Sequence, residues 1–110
     1  MYVRVARFEN VDPSRVDEQI AELRQQIDAG RRGEVPAEFA EQTRVLMDTI
    51  TRFVQLVDRA NGTFLALAFV EREEDLRRVD EALNAMSPGE GGGRRTSVEL
   101  CEVAIDEAFG

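Results

Sequence analysis

The sequence predicts an α+β domain built around an antiparallel sheet, and three observations lead to this fold class. Residues 50–71, ITRFVQLVDRANGTFLALAFVE, read as two strands joined by a tight turn. Three other segments repeat apolar residues at helical spacing. Apolar strand patterns also lie near both ends of the chain. Since 110 residues fit one domain with its own core, we expect residues 1–110 to form a single domain.

The chain opens with a predicted strand over about Tyr2–Glu9, in which alternate residues point to opposite faces. A helix follows, with Asp12 as its N-cap, and the segment Gly30–Gly33 ends it. Val11, just before the cap, and Val16 occupy the two positions of a hydrophobic staple. This staple fixes the angle at which the chain enters the helix.

A second, shorter helix is predicted from Pro36 to about Met47. The hairpin comes next, with strands near Thr51–Asp58 and Thr63–Glu71. The Asn61-Gly62 pair in the connecting turn supplies the positive φ that tight hairpin turns require.

The last helix is predicted over about Glu73–Met86. The run EGGGRR, residues 90–95, is predicted to be a flexible linker, and the final strand covers about Thr96–Ile105. The order is therefore strand, helix, short helix, strand, strand, helix, strand. This is the split βαβ, ferredoxin-like arrangement, whose two crossovers place both main helices on one face of the sheet.

The strand Phe64–Val70 has no polar residue on either face. A strand with one wet face alternates apolar and polar residues, so this pattern indicates that both faces are covered. Helices cover only one face of a ferredoxin-like sheet, and a bare second face would expose a patch that monomers rarely show. We therefore predict a homodimer whose two sheets pack face to face as one barrel.

Composition excludes several classes of function. The net charge is −8, which argues against nucleic acid or an anionic membrane as a partner. There is no His and no Lys, which excludes an imidazole base, a His metal ligand, Schiff-base chemistry and a phosphate-binding P-loop. The single Cys101 cannot form an intrachain disulfide and is expected to be a reduced, small apolar residue. No apolar run could span a bilayer and no signal peptide is recognisable, so we expect a cytoplasmic protein.

The run LVDRANGTFLALAFVEREEDLRRVDEALNAM, followed by RRTSVELCEVAI, resembles the dimeric α+β barrel superfamily, and in particular the antibiotic biosynthesis monooxygenase (ABM)-like proteins. The segments that carry the resemblance are Leu56–Arg59, Gly62, Phe64–Val70, Glu73–Leu76 and Val98–Ile105. The resemblance implies a dimeric barrel and a choice among cofactor-free oxygenases, haem-degrading enzymes and small isomerases. The haem-degrading pattern needs His and usually Trp, and this chain has neither. We therefore expect no cofactor.

A pocket in this fold is expected between the sheet and its helices. The candidate pocket residues are polar residues inside otherwise apolar strands: Tyr2, Arg4, Arg52 and Gln55. Arg52 can hold a phenolate or carboxylate, Gln55 can orient an oxygen, and Tyr2 can donate a proton or stack on a ring.

The same residues also have structural interpretations. Arg4 and Arg52 can lie at strand ends or edges, where they extend to water or pair with Glu99 and Glu102. Gln55 can lie at the dimer interface and help to set its register.

Two functions remain open from the sequence. The first is a cofactor-free monooxygenase or isomerase acting on a small aromatic or phenolic substrate, which predicts a closed apolar pocket lined by Arg52, Gln55 or Tyr2. The alternative is a non-catalytic homodimeric module that binds a small molecule or a partner. It predicts that these polar residues are exposed or paired and that no sizeable pocket exists.

Overall fold

The computed structural model describes residues 1–86 and 93–110. These residues form a four-stranded antiparallel sheet and three α-helices, an α+β arrangement compatible with a ferredoxin-like fold. The strands are β1 (Tyr2–Glu9), β2 (Arg52–Asp58), β3 (Thr63–Val70) and β4 (Arg94–Glu102), and they lie in the order β2-β3-β1-β4. The helices are α1 (Val16–Arg31), α2 (Ala40–Thr49) and α3 (Glu73–Ala85).

Most of the predicted elements are confirmed within one or two residues, and the first strand has the predicted bounds. Two helices differ in their first turn. A 3₁₀ turn at Pro13–Arg15 precedes α1, and another at Ala37–Phe39 precedes α2. Tight first turns of this kind are frequent at helix N-termini.

The predicted bounds of the last strand were wrong at both ends. Arg94 and Arg95 belong to β4 rather than to a linker, because the strand continues past an irregularity in pairing opposite Arg7. At the other end β4 stops at Glu102, opposite Tyr2 at the start of β1, and one further backbone hydrogen bond runs from the N–H of Val103 to the carbonyl of Met1 at 3.0 Å. Ile105 lies outside the sheet and is 82% exposed. Of the rest of the predicted linker, residues 90–92 lie outside the described residues, and Gly93 immediately precedes β4.

The start of the first helical segment follows the predicted local chemistry. The Asp12 carboxylate accepts hydrogen bonds from the backbone N–H of Ser14 at 3.0 Å and from its hydroxyl at 2.7 Å. Val11 and Val16 lie in one buried cluster with Phe64 of β3, which is the contact expected of the staple. The cap and the staple together join α1 to the sheet.

Within the predicted Asn61-Gly62 turn, the positive φ belongs to the glycine. Gly62 has a φ of 63°, whereas Asn61 does not have a positive φ and instead hydrogen-bonds to Asp58. The carbonyl of Gly62 accepts the N–H of Val11 at 3.0 Å. A Cβ at Gly62 would approach the carbonyl oxygen of Val11 to 2.9 Å, so both the conformation and the close approach favour glycine here.

The core lies between the helices and one face of the sheet. Its larger cluster joins Leu46 of α2, Ala68 and Val70 of β3, and a buried stripe on α3: Leu76, Val79 and Ala82. Helical spacing on α3 and alternation on β3 produce these two matching apolar surfaces. None of the helices in residues 1–86 and 93–110 is long and apolar enough to cross a membrane.

Candidate functional site

The face of the sheet turned away from the helices is largely apolar, and we refer to it as the open face. Strand register places its apolar residues side by side: Val3, Val5, Val54, Leu56, Leu65, Leu67, Phe69 and Cys101. The helices contact the opposite residues of the same strands, such as Ala68 and Phe64. On the open face Leu56 of the edge strand β2 is 48% exposed, Val3 is buried, and the other six residues are half-buried.

Charged residues surround the apolar part of the open face. Arg7 lies 3.5 Å from the carboxylate of Glu9. Asp58 accepts two hydrogen bonds from Asn61 in the turn. Arg52 and Glu99 are exposed and stand on the two edge strands, β2 and β4. The open face thus has an apolar centre and a charged rim, which is the usual anatomy of a protein interface.

On the helix side of the sheet, Arg4 is buried in a polar network and only 4% exposed. Its Nε donates to the carboxylate of Asp80 at 2.9 Å, and its Nη2 donates to the side-chain oxygen of Asn84 at 3.2 Å. Asn84 also accepts a hydrogen bond from Arg95 at 2.8 Å. The network joins β1, α3 and β4. The structural interpretation of Arg4 given above was therefore wrong, since Arg4 is buried on a central strand and pairs with Asp80 rather than with Glu99 or Glu102.

A cavity of about 350 Å³ lies beside this network, between the start of α3 and the strands β1 and β4. Its lining residues are Tyr2, Glu73, Leu76, Arg77, Leu100, Cys101 and Glu102. Leu100 is 44% exposed, since α3 contacts β1 and β3 and leaves the β4 edge uncovered. Glu73 and Arg77 form an ion pair at 3.6 Å on the lining of the cavity. The lining is therefore mixed, with charged side chains beside the apolar ones.

The four candidate residues do not converge on one site. Tyr2 lines the cavity, and Arg4 is buried nearby in its ion pair. Gln55 is half-buried on the helix side of β2, two strands away from Tyr2. Arg52 is exposed on the open face. A pocket in which Arg52, Gln55 and Tyr2 act together is therefore not present among the described residues.

The sequence analysis did not identify the two residues of α3 that bind Arg4. Asp80 and Asn84 follow Leu76 at intervals of four, so they continue one line along the helix from a buried residue. An arginine on the same face of β1 as Ala6 needs an acidic partner when buried. Together these two signals would have indicated a contact between Arg4 and Asp80.

A second concavity, a groove of about 880 Å³, runs between the end of α1 and α2. Its surface mixes small residues with charged ones, and Met47 approaches Gly30 there so closely that a Cβ at Gly30 would lie 2.6 Å from the Met47 methyl carbon. Within residues 1–86 and 93–110, the His, Cys, Asp and Glu side chains form no group of three that could hold a metal ion.

No protein-family model matches the sequence, and no curated protein matches it with significance. The likeness to ABM-like proteins rests on the sequence motifs given above.

Proposed function

We propose that the protein is a homodimeric α+β barrel of the ABM-like kind that acts as a non-catalytic module and binds a small apolar or aromatic molecule. The observation that carries this proposal is the open face, whose eight apolar residues lie on the side of the sheet without helices and of which all but Val3 are at least partly exposed. A second copy supplies a surface of the same size and the same apolar character. Packing two such sheets about 10 Å apart removes both faces from water.

The dispersal of the candidate polar residues favours binding over catalysis. Catalytic groups must lie within hydrogen-bonding reach of one reacting centre. Here Arg4 is engaged by Asp80 and Asn84, and Arg52 is on the opposite face of the sheet from Tyr2. Tyr2 is the one candidate that lines the cavity beside α3.

The size and lining of the cavity support a small ligand with an aromatic or aliphatic body. Tyr2, Leu76 and Leu100 offer apolar contact, while Arg77 and Glu102 offer polar contacts to a hydroxyl or carboxylate group. A volume of about 350 Å³ lies at the lower end of the range for ligand pockets.

The dimer is tested by light scattering coupled to size-exclusion chromatography. We expect the wild-type chain to elute with the mass of two copies. Leu67→Arg places a charge in the centre of the open face, so this variant is expected to be a folded monomer. Ala21→Arg, on the exposed surface of α1, is the matched control and should remain dimeric. A monomeric wild type would reject the proposal.

Ligand binding is tested by thermal shift with a panel of phenols, naphthoquinones and short fatty acids. A ligand that binds only the folded state raises the melting temperature. Leu100→Trp fills the cavity from its exposed rim and should abolish any shift, whereas Ala21→Trp should retain it. A shift that survives Leu100→Trp would place the ligand elsewhere.

A second candidate function is the cofactor-free monooxygenase or isomerase. The observation in its favour is that a hydroxyl and a carboxylate, from Tyr2 and Glu102, line the same cavity. It predicts turnover of a phenolic substrate, followed as oxygen uptake or product formation, that falls strongly in Tyr2→Phe while ligand binding persists. Binding of a phenol without turnover would reject this second function and keep the first.

A further inference from the structure

Two opposite charges on the open face have no partner in the described part of the chain. Arg52 opens β2 and Glu99 lies within β4, and both are exposed. The ion pairs and side-chain hydrogen bonds of residues 1–86 and 93–110 include neither side chain. Among the other charges of this face, Arg7 pairs with Glu9 and Asp58 with its turn, whereas Arg94, aligned with Glu9 on β4, is exposed and takes part in none of these ion pairs.

Arg52 and Glu99 cannot pair within one copy. The strand order places β2 and β4 at opposite edges of the sheet. With neighbouring strands about 4.8 Å apart, these two edges are about 14 Å apart. An ion-pair partner for either side chain would therefore have to come from outside the described chain.

Building on the proposed homodimer, we propose that its two-fold axis runs along the strands, between β3 and β1, and that Arg52 of each copy pairs with Glu99 of the second copy. Such an axis lays β2 of one copy over β4 of the other. The ion pair then forms twice, once at each edge of the barrel, and encloses the shared apolar centre.

The strand register supports this geometry. Strand pairing connects Arg52 to Cys101 across the sheet by way of Phe69 and Val3, so both lie at the same level along the strands. The proposed axis therefore places Arg52 opposite Cys101 of the second copy. Glu99 lies two residues before Cys101 on β4, so its side chain points to the same face at a distance of about 6.6 Å from Cys101. The long guanidinium side chain can span this offset between sheets packed about 10 Å apart.

In the competing arrangement, the two-fold axis crosses the strands. β2 of one copy would then lie over β2 of the other in the reverse direction, which places Arg52 opposite Asp58. The oxygens of Asp58 already accept the backbone N–H of Asn61 at 3.1 Å and its side-chain NH₂ at 2.7 Å. Glu99 has no such partner among the described residues, and so it is the better acceptor for Arg52.

The test mixes two charge-reversed variants, Arg52→Glu and Glu99→Arg, and measures the dimers by native mass spectrometry. Each variant alone brings like charges together at both edges, and its dimer dissociation constant should rise by about tenfold or more at low salt. In the mixed dimer, one edge carries the original pair and the other the reversed pair. The mixed dimer should therefore exceed its statistical share of about half, and added salt should reduce the excess.

Each outcome has one meaning. Excess mixed dimer together with weakened single variants supports the Arg52–Glu99 pairing. A statistical mixture, or an excess only when Arg52→Glu is mixed with Asp58→Arg, overturns this pairing and leaves the proposed homodimer in place. A wild-type chain that is monomeric rejects the homodimer itself, and therefore the proposed function.

Discussion

At the residue scale, the burial of Arg4 is the main electrostatic feature of the core. Arg4 is only 4% exposed, and a buried guanidinium must be paired and hydrogen-bonded within the protein. Asp80 supplies the opposite charge from α3, and Asn84 supplies a second acceptor one turn later. Removing one member alone leaves the other charge without its partner inside the protein, so it costs more than the net contribution of the pair to stability.

We expect Asp80→Ala to lower the free energy of unfolding by about 3 kcal/mol, because it leaves the Arg4 charge buried and unpaired. Arg4→Met removes the charge itself and should cost about 1 kcal/mol, since an apolar chain of similar length fills the site. Urea unfolding followed by circular dichroism measures both values.

The exposed ion pair between Asp17 and Arg59 provides the control for this comparison. Asp17→Ala should cost less than about 0.5 kcal/mol, as is usual for surface pairs. Equal costs for Asp80→Ala and Asp17→Ala would contradict the structural role of the buried pair.

At the element scale, the β2–β3 turn shows how local chemistry fixes strand register. Asp58 at the end of β2 accepts both hydrogen bonds from Asn61, which closes the loop. Gly62 then takes the left-handed conformation and accepts the N–H of Val11. The turn therefore connects the two strands of the hairpin. Through the hydrogen bond to Val11, it also fixes the position of the segment that leads into α1.

Gly62→Ala should lower the free energy of unfolding by about 2 kcal/mol, because a side chain there meets both an unfavourable φ and the carbonyl of Val11. Gly33 has a similar φ of 72°, but no described atom lies within 4 Å of the position that an alanine methyl group would occupy. Gly33→Ala should therefore cost only about 1 kcal/mol. Chemical denaturation of both variants separates the close approach from the backbone conformation. A larger loss for Gly33→Ala would refute this explanation.

Hydrogen bonds from the side chain and backbone of Asn61 hold the pKa of Asp58 below its usual range. Because the pKa is lower in the folded than in the unfolded chain, this interaction stabilises the fold at pH above the usual aspartate range. Its contribution disappears as the pH falls through the folded-state pKa. Asn61→Ala should raise the pKa of Asp58, as followed by carbon-detected NMR titration.

Asp12 is the internal control for the NMR titration. Its pKa is lowered by hydrogen bonds from the side chain and backbone of Ser14, which Asn61→Ala leaves intact. The pKa of Asp12 should therefore stay unchanged while that of Asp58 rises. Parallel shifts of both groups would point to a general change in the fold rather than to the loss of the turn hydrogen bonds.

At the scale of the whole molecule, the two faces of the sheet have different roles. The helix side holds the core, the Arg4 network and the cavity lined by Tyr2. The open face is apolar at its centre and carries at its edges two opposite charges that no described residue pairs. In the proposed dimer the helix side contains the ligand site, and the open face forms the interface between the two copies.

In this proposal dimer formation stabilises the folded chain, so the thermal unfolding midpoint of the wild-type chain should rise with protein concentration. Leu67→Arg should lower the midpoint and remove its dependence on concentration. Calorimetry at three concentrations measures both effects. A midpoint of the wild type that does not change with concentration would be inconsistent with assembly through the open face.

Much of the fold could be predicted from the sequence because its signals are local. The 3.6-residue and two-residue periods define α1, α3 and the strands, and the Asp12 cap and Gly62 turn mark their ends. Alternation alone also implies that Arg52 and Gln55, three residues apart on β2, point to opposite faces. The alternation of the strand therefore already argued against one pocket that contains both Arg52 and Gln55.

The order of the elements and the apolar character of both faces of β3 follow from the amino-acid sequence alone, since each depends on neighbours within a few residues. Which residues meet across elements was settled only in the folded chain. Folding paired Arg4 with Asp80, placed Tyr2 on the cavity, and extended β4 to Arg94 through pairing with Glu9. These outcomes depend on strand register and on how α3 lies across the sheet, and both are set by contacts between residues far apart in the chain.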